Sequence, residues 1–228
     1  VPGEPEGASG RGDDIGLAHD LLAGLLPSEP PKLPGMDIAV FNQFRHEVGG
    51  DYFDFLPLVD GRLAITIADV SGKGVAAAML MVRLREILHS VVAHGGTPVE
   101  TVATVNTRLM QNTPRGMFIT LLYAVLAPRT RELRMVNAGH CPPFVWRARL
   151  TGVRLLRLTG PALGLFPPES FAQAISERTI ALEPADCLCL FTDGISEAKN
   201  THGEEFGEGR LAAALRHHAA QSAQGLTD

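Results

Sequence analysis

The sequence predicts an α+β fold, a two-sheet antiparallel β-sandwich flanked by helices. Short strand-like runs recur along the chain with turn signals between them. Two helical patterns sit together in the middle, where a βαβ array would alternate strand with helix. One run alternates Leu63, Ile65 and Ile67 against Ala64, Thr66 and Ala68, the period of a strand with two different faces. With 228 residues the chain is long enough for one large domain, and no linker composition divides it after residue 35.

In chain order, residues 1–13 are rich in Gly, Pro and Glu and read as a disordered tail. Residues 14–34 read as an N-terminal helix and a Pro-rich connector. Asp14 caps the helix; Ile15, Ala18, Leu21, Leu22, Leu25 and Leu26 keep a helical period; Pro27 stops it. Residues 35–228 form the main domain. Met36 to Phe44 and Tyr52 to Val59 are strand candidates, and Asp60-Gly61 signals a hairpin into Arg62 to Val70. A helix follows from Val75 to His94, apolar all round in its first half, and Gly95-Gly96 ends it. Thr97-Pro98-Val99-Glu100 combines a capping box with proline at the first helical position and opens a second helix to Gln111. Strands are then expected at Met117 to Leu126, Glu132 to Ala138, Pro143 to Arg147, Val153 to Leu158, Phe171 to Leu182 and Cys187 to Thr192. An amphipathic helix from Glu208 to Ala220 closes the chain.

Composition excludes several classes. A net charge of −5 and a pI near 5.9 give no basic footprint for nucleic acid. No run of eighteen apolar residues reads as a membrane span, and no signal peptide opens the chain. The three cysteines, Cys141, Cys187 and Cys189, are too few for a disulfide framework and fit a reducing cytoplasm. Cys187 and Cys189 point to one face of a strand; core thiols are the plainer reading beside a soft-metal site.

Chemistry concentrates in three acidic segments: Glu47 to Phe55, Ala68 to Gly74 and Phe191 to Ala198. In the last two, an Asp ends a hydrophobic strand pattern and a Gly-containing turn follows. Carboxylates converging at strand ends suit hard divalent cations, which take oxygen ligands. Asp69 has two oxygens with which to bridge metals, Asp51 and Asp193 complete a cage, and the Val70 carbonyl is a backbone ligand. Each Asp alone is better explained as a cap; the three together point to a metal-dependent hydrolase. Ser71-Gly72-Lys73-Gly74 is no P-loop, because Gly follows the Lys where Ser or Thr is required. His140, at a strand end, is either an acid–base group or a turn residue bonded to backbone. His217 and His218 read as a solvated face.

At these residues the chain resembles the PPM family of metal-dependent Ser/Thr phosphatases, in its bacterial SpoIIE/RsbU-type branch. Gly49-Gly50-Asp51, Asp69-Val70-Ser71-Gly72-Lys73-Gly74, Met117 to Leu121, Ala138-Gly139-His140, Gly160 to Leu165 and Thr192-Asp193-Gly194 occur in the family's order. The likeness runs from Leu25 to the end. It implies α-β-β-α layers with two Mn2+ or Mg2+ ions between the sheets. Asp69 would bridge both ions, Asp51 and the Val70 carbonyl would hold one, and Asp193 the other. Glu47, Asp54, Gly72 and Gly194 are supporting or phosphate-side candidates. The implied substrate is a phosphorylated STAS-type anti-anti-sigma protein in a partner-switching pathway of sigma factor regulation, and a sensor domain is expected upstream. The apolar stripe of the N-terminal helix is expected to pack on the sandwich or to form a homodimer. The family's closing Asp-Asp-x-Thr strand, which carries a further ligand, is missing before Asp228, so at most one tightly held ion, or none, is expected. A catalytically weak or inactive module that binds a regulatory partner is the alternative, and a histidine that relatives place two residues beyond the bridging Asp is Ser71 here.

Overall fold

The computed structural model describes residues 16–17, 19–43 and 49–227. The tail expected over 1–13 lies outside them, as do Asp14, Ile15, Ala18, Phe44 and Glu47. Eight strands form two antiparallel sheets. The larger has the order β1-β2-β3-β4-β7 and the smaller β6-β5-β8. In chain order the strands are β1 (Tyr52–Pro57), β2 (Leu63–Val70), β3 (Ile119–Ala127), β4 (Glu132–Ala138), β5 (Phe144–Arg147), β6 (Gly152–Leu155), β7 (Glu177–Ala181) and β8 (Cys187–Cys189). Helix α1 covers 16–17 and 19–23 among the described residues. The others are α2 (Val75–Val92), α3 (Pro98–Met110), α4 (Pro168–Ala174), α5 (Asp193–Ser196), α6 (Gly207–His218) and α7 (Ala223–Thr227).

The layers follow from alternation along the strands. Ala64, Ala68 and Val70 of β2 and Leu121, Tyr123 and Val125 of β3 face the helices. They pack with Leu80, Leu84 and Leu88 of α2 and Val102, Val105 and Leu109 of α3. Ile65 and Ile67, with Leu122, Ala124 and Leu126, face the smaller sheet and meet Val145 and Leu188. Phe144 on the outer side of that sheet packs with Phe191 and with Leu211 and Leu215 of α6. The result is the α-β-β-α stack that the sequence predicts. The expected capping box is present: Thr97 Oγ1 accepts from the Glu100 amide, and the Glu100 carboxylate accepts from the Thr97 amide. Leu22 and Leu26 of the N-terminal segment pack into the helix-side core, so this stripe docks on its own sandwich, while Leu17 and Leu21 remain exposed.

Four expectations need correction. Residues 36–43 form no strand; Met36 packs on the inter-sheet core, but no backbone ladder pairs the segment. Phe171 to Leu182 is not one strand. Pro168 opens α4, Phe171 is buried beneath it, and β7 begins only at Glu177. The signal was Pro168 at the first helical position with Glu169 in the first turn. The strand expected over Cys187 to Thr192 pairs only as far as Cys189, and its two cysteines, Cys187 and Cys189, are half-buried free thiols. The final helix ends at His218, and α7 follows it.

Candidate metal centre

Three segments meet at one end of the sandwich. The β1–β2 register pairs Tyr52 with Ala68, which sets Asp51 opposite Asp69 one step further on. Asp69 shares its face with Ile65 and Ile67, so its carboxylate enters the space between the sheets. Gly50 explains how the strands come so close: a Cβ there would lie 2.9 Å from the Val70 carbonyl oxygen and 3.0 Å from the Val70 Cβ. Asp193, at the start of α5, reaches the cleft from the smaller sheet. Thr192, just before it, offers its hydroxyl to Asp51 Oδ2 at 3.5 Å.

The electrostatics show how crowded the carboxylates are. Burial pushes Asp69 up to about 7, and Asp51 and Asp193 add to the rise as like charges. Burial and then Asp193 raise Asp51 as well. Asp51 and Asp69 are hydrogen-bonded to each other, and the bond raises Asp69 while lowering Asp51. The Val70 amide also bonds the Asp69 carboxylate. Among the described residues no three His, Cys, Asp or Glu side chains form a closed coordination group. The donor set nevertheless suits a hard cation: two carboxylates facing each other across β1 and β2, a third within electrostatic range, and a backbone held against Gly50. Asp51, Asp69, Asp193 and the Val70 carbonyl could hold a divalent ion.

The structure divides the supporting candidates. Asp54 has a supporting place: it lies on the opposite face of β1, only 6% exposed, with Tyr52 and His89. The Tyr52 hydroxyl donates to Asp54 Oδ2 at 2.8 Å, and His89 Nε2 lies 2.7 Å from the same oxygen. Asp54 thus ties β1 to α2. Gly72 sits in the loop after β2 at φ 99°, a conformation that needs glycine. Gly194 has ordinary space around it, its nearest neighbour being Thr192 Oγ1 at 3.6 Å. Glu47 lies outside the described residues.

His140 proves to be a turn residue. Asn137 locks the turn after β4, accepting from the His140 amide at 2.8 Å and donating to its carbonyl at 2.9 Å. His140 Nδ1 lies 2.8 Å from Thr120 Oγ1. Thr120 is the β3 partner of Asp69. Burial pushes the imidazole down to about 4, so it is neutral at physiological pH. Ser71 is also committed, since its hydroxyl accepts from the Phe118 amide at 2.8 Å. Sequence reasoning missed Thr120, which only the β2–β3 register brings beside Asp69. It also missed Cys141, whose thiol is pushed up to about 11 by burial and then by Asp193, Glu208 and Asp69.

Two concavities of about 190 and 250 Å3 lie away from the carboxylates, beside Arg62 and Tyr123 and beside Pro27 and Phe53.

Comparison with known proteins places this geometry. Residues 59–228 match the family model described as Stage II sporulation protein E (SpoIIE). The chain belongs to the SpoIIE family. Among curated relatives, Protein IcfG of Synechocystis sp. is 33% identical over 89% of this chain and 35% of its own length. The phosphoserine phosphatase RsbU of Bacillus subtilis is 28% identical over 83% of this chain and 55% of its own. The chain thus spans about a third to a half of the curated relatives' length. Among solved structures, the SiaA-PP2C domain of Pseudomonas aeruginosa superposes with a TM-score of 0.80, at 21% identity, over 97% of this chain and 88% of that one. The SpoIIE-family chain therefore has a PP2C-type phosphatase fold, and its acidic cleft lies between the two sheets of that fold.

Proposed function

We propose that this domain is a metal-dependent phosphatase of phosphoserine or phosphothreonine in a bacterial regulatory protein. The observation that carries the reading is the cross-strand pair Asp51 and Asp69, set opposite each other in a cleft where Asp193 adds a third like charge. Asp51, Asp69, Asp193 and the Val70 carbonyl would hold Mn2+ or Mg2+. Such ions supply Lewis acidity to phosphoryl oxygens and a nucleophilic water near neutral pH. The residues do the rest. Asp69 and Asp51 face each other as ligands would, Thr192 orients Asp51, and Gly50 keeps β1 against Val70. Neutral His140 holds Thr120 in the register that presents Asp69. Likeness to RsbU supports a phosphorylated STAS-type anti-anti-sigma protein as substrate, within a cytoplasmic partner-switching pathway. The greater length of the relatives supports a sensor domain in the whole protein. Among the described residues no helix is long and apolar enough to cross a membrane.

The test is hydrolysis of p-nitrophenyl phosphate and of a phosphoserine protein in Mn2+ or Mg2+. EDTA should abolish both activities, and turnover undiminished in EDTA would sink the metal reading. The lack of a closed three-ligand group among the described residues favours one second reading, a partner-binding module with weak or no turnover. Partner capture with no hydrolysis at saturating Mn2+ would select it.

A further inference from the structure

Three loops line one side of the cleft and are fastened to one another in a row. The loop after β2 joins the segment before β3 through two bonds, Ser71 amide to Phe118 carbonyl at 2.9 Å and Phe118 amide to Ser71 hydroxyl at 2.8 Å. That segment meets the third loop, because a Cβ on Gly164 would lie 3.4 Å from the Met117 carbonyl oxygen. Leu163 and Ile119 exchange backbone bonds beside it, and Asn106 of α3 fixes the Gly164 amide and the Phe166 carbonyl. Asp69 and Val70 lead directly into the first of these loops.

This rim is unusually apolar for an exposed surface. Of the nine large hydrophobic residues exposed among the described residues, four sit on it or on the first turns of α2: Val75 at 61%, Met79 at 69%, Leu165 at 50% and Phe166 at 46%. Single exposed apolar residues need no explanation, but a group beside a catalytic cleft marks a contact surface. Two cations edge it. Lys73 lies between Gly72 and Gly74, and Arg115 at the turn closed by the Met117 amide on the Pro114 carbonyl. Both are exposed, and neither makes an ion pair among the described residues, although the chain is acidic overall.

We propose that this rim is the docking surface for the phosphoprotein substrate, recognising a phosphoserine that has apolar residues next to it. The proposal rests on the phosphatase reading and names what that site prefers. Charge selects the occupant. A phosphoserine brings about −1.5 to −2 charges, which Lys73 and Arg115 complement as the group approaches the cleft. A second copy docked symmetrically would repeat the same patch and set these cations against themselves. Val75, Met79, Leu165 and Phe166 then form the apolar centre of the contact and the two cations its polar edge. Met79 is flexible enough to fit varied neighbours of the phosphoserine.

The experiment uses two peptides of equal length and charge carrying a non-hydrolysable phosphonate analogue of phosphoserine. One has Leu and Phe beside it, the other Ser and Gly. Fluorescence anisotropy in Mn2+ should show the apolar peptide binding about tenfold tighter. Met79→Glu and Phe166→Glu should erase that preference with unchanged circular dichroism, and Lys73→Ala with Arg115→Ala should weaken both peptides and flatten the salt dependence. Equal affinity for the two peptides in the unmutated protein overturns the proposal. So does light scattering that shows a dimer converted to monomer by Met79→Glu. Turnover of the matching phosphoserine peptides is read separately. Preferential binding without turnover keeps the docking surface and rejects the phosphatase reading; turnover with equal binding does the reverse.

Discussion

Asp69 is where residue-level physics is sharpest. Its folded pKa of about 7 stands above the ordinary 3.8, so between those values the native state binds more protons than the unfolded one. Stability of the metal-free protein should therefore fall as pH rises from about 4 through 7. Thermal melts in EDTA across that range check it, and Asp69→Asn should flatten the curve. The same substitution should remove the rise in melting temperature on adding Mn2+ and cut turnover on the order of 100-fold or more, the scale seen when one strong electrostatic contact to a transition state is lost. A full Mn2+ response in Asp69→Asn would reject its role. Asp54→Asn belongs to a different class. Its carboxylate serves Tyr52 and His89 on the helix side, so the loss should fall on stability, about 1–3 kcal/mol for a buried bonded group. Turnover per folded molecule, measured after urea titration, should remain close to normal. His140 works with the opposite sign to Asp69: its folded pKa of about 4 lies below the ordinary 6.5, so its neutral form contributes stability that is lost as pH falls between those values. His140→Gln should reduce the acid sensitivity of the melt in that window.

At the scale of elements, close approach decides the outcome. Gly160 passes beneath the end of β4, where a Cβ would lie 2.2 Å from the Asn137 carbonyl oxygen. Backbone cannot yield as a side chain tip does, so Gly160→Ala should cost roughly 3 kcal/mol, the upper range for overpacking, and loosen the turn that holds His140. Denaturant unfolding measures it; a loss under half a kcal/mol would mean the segment moves freely. Gly50→Ala should be gentler on stability and harsher on Mn2+ affinity, because pushing β1 away from Val70 separates Asp51 from Asp69. Isothermal titration separates the two effects. The strand expected over 36–44 fails at this scale for a related reason: an alternating pattern supplies a face but not a partner ladder.

For the molecule as a whole, the acidic cluster draws on both sheets. Asp51 directly precedes β1 and Asp69 lies on β2 of the larger sheet, while Asp193 follows the last strand of the smaller. Cation binding should therefore brace the sandwich across its cleft. Hydrogen exchange with and without Mn2+ should show protection spreading to both β1–β2 and the β8–α5 segment. Protection confined to one sheet would argue against a site shared between them.

By itself the sequence determined the two-sheet sandwich, the paired central helices, the capping box and the three acidic motifs. Those depend on local periodicity, on caps and on residue types that carry their chemistry wherever they sit. Tertiary structure alone decided which carboxylates meet. The one-step extension of the Tyr52–Ala68 register set Asp51 opposite Asp69. The pleat sent Asp54 to the other face, three residues along the same chain. The β2–β3 register brought Thr120 beside Asp69, and α4 replaced an expected strand because Phe171 found burial there as a helix. Pairing and burial are long-range; they depend on partners that a local window of sequence does not contain.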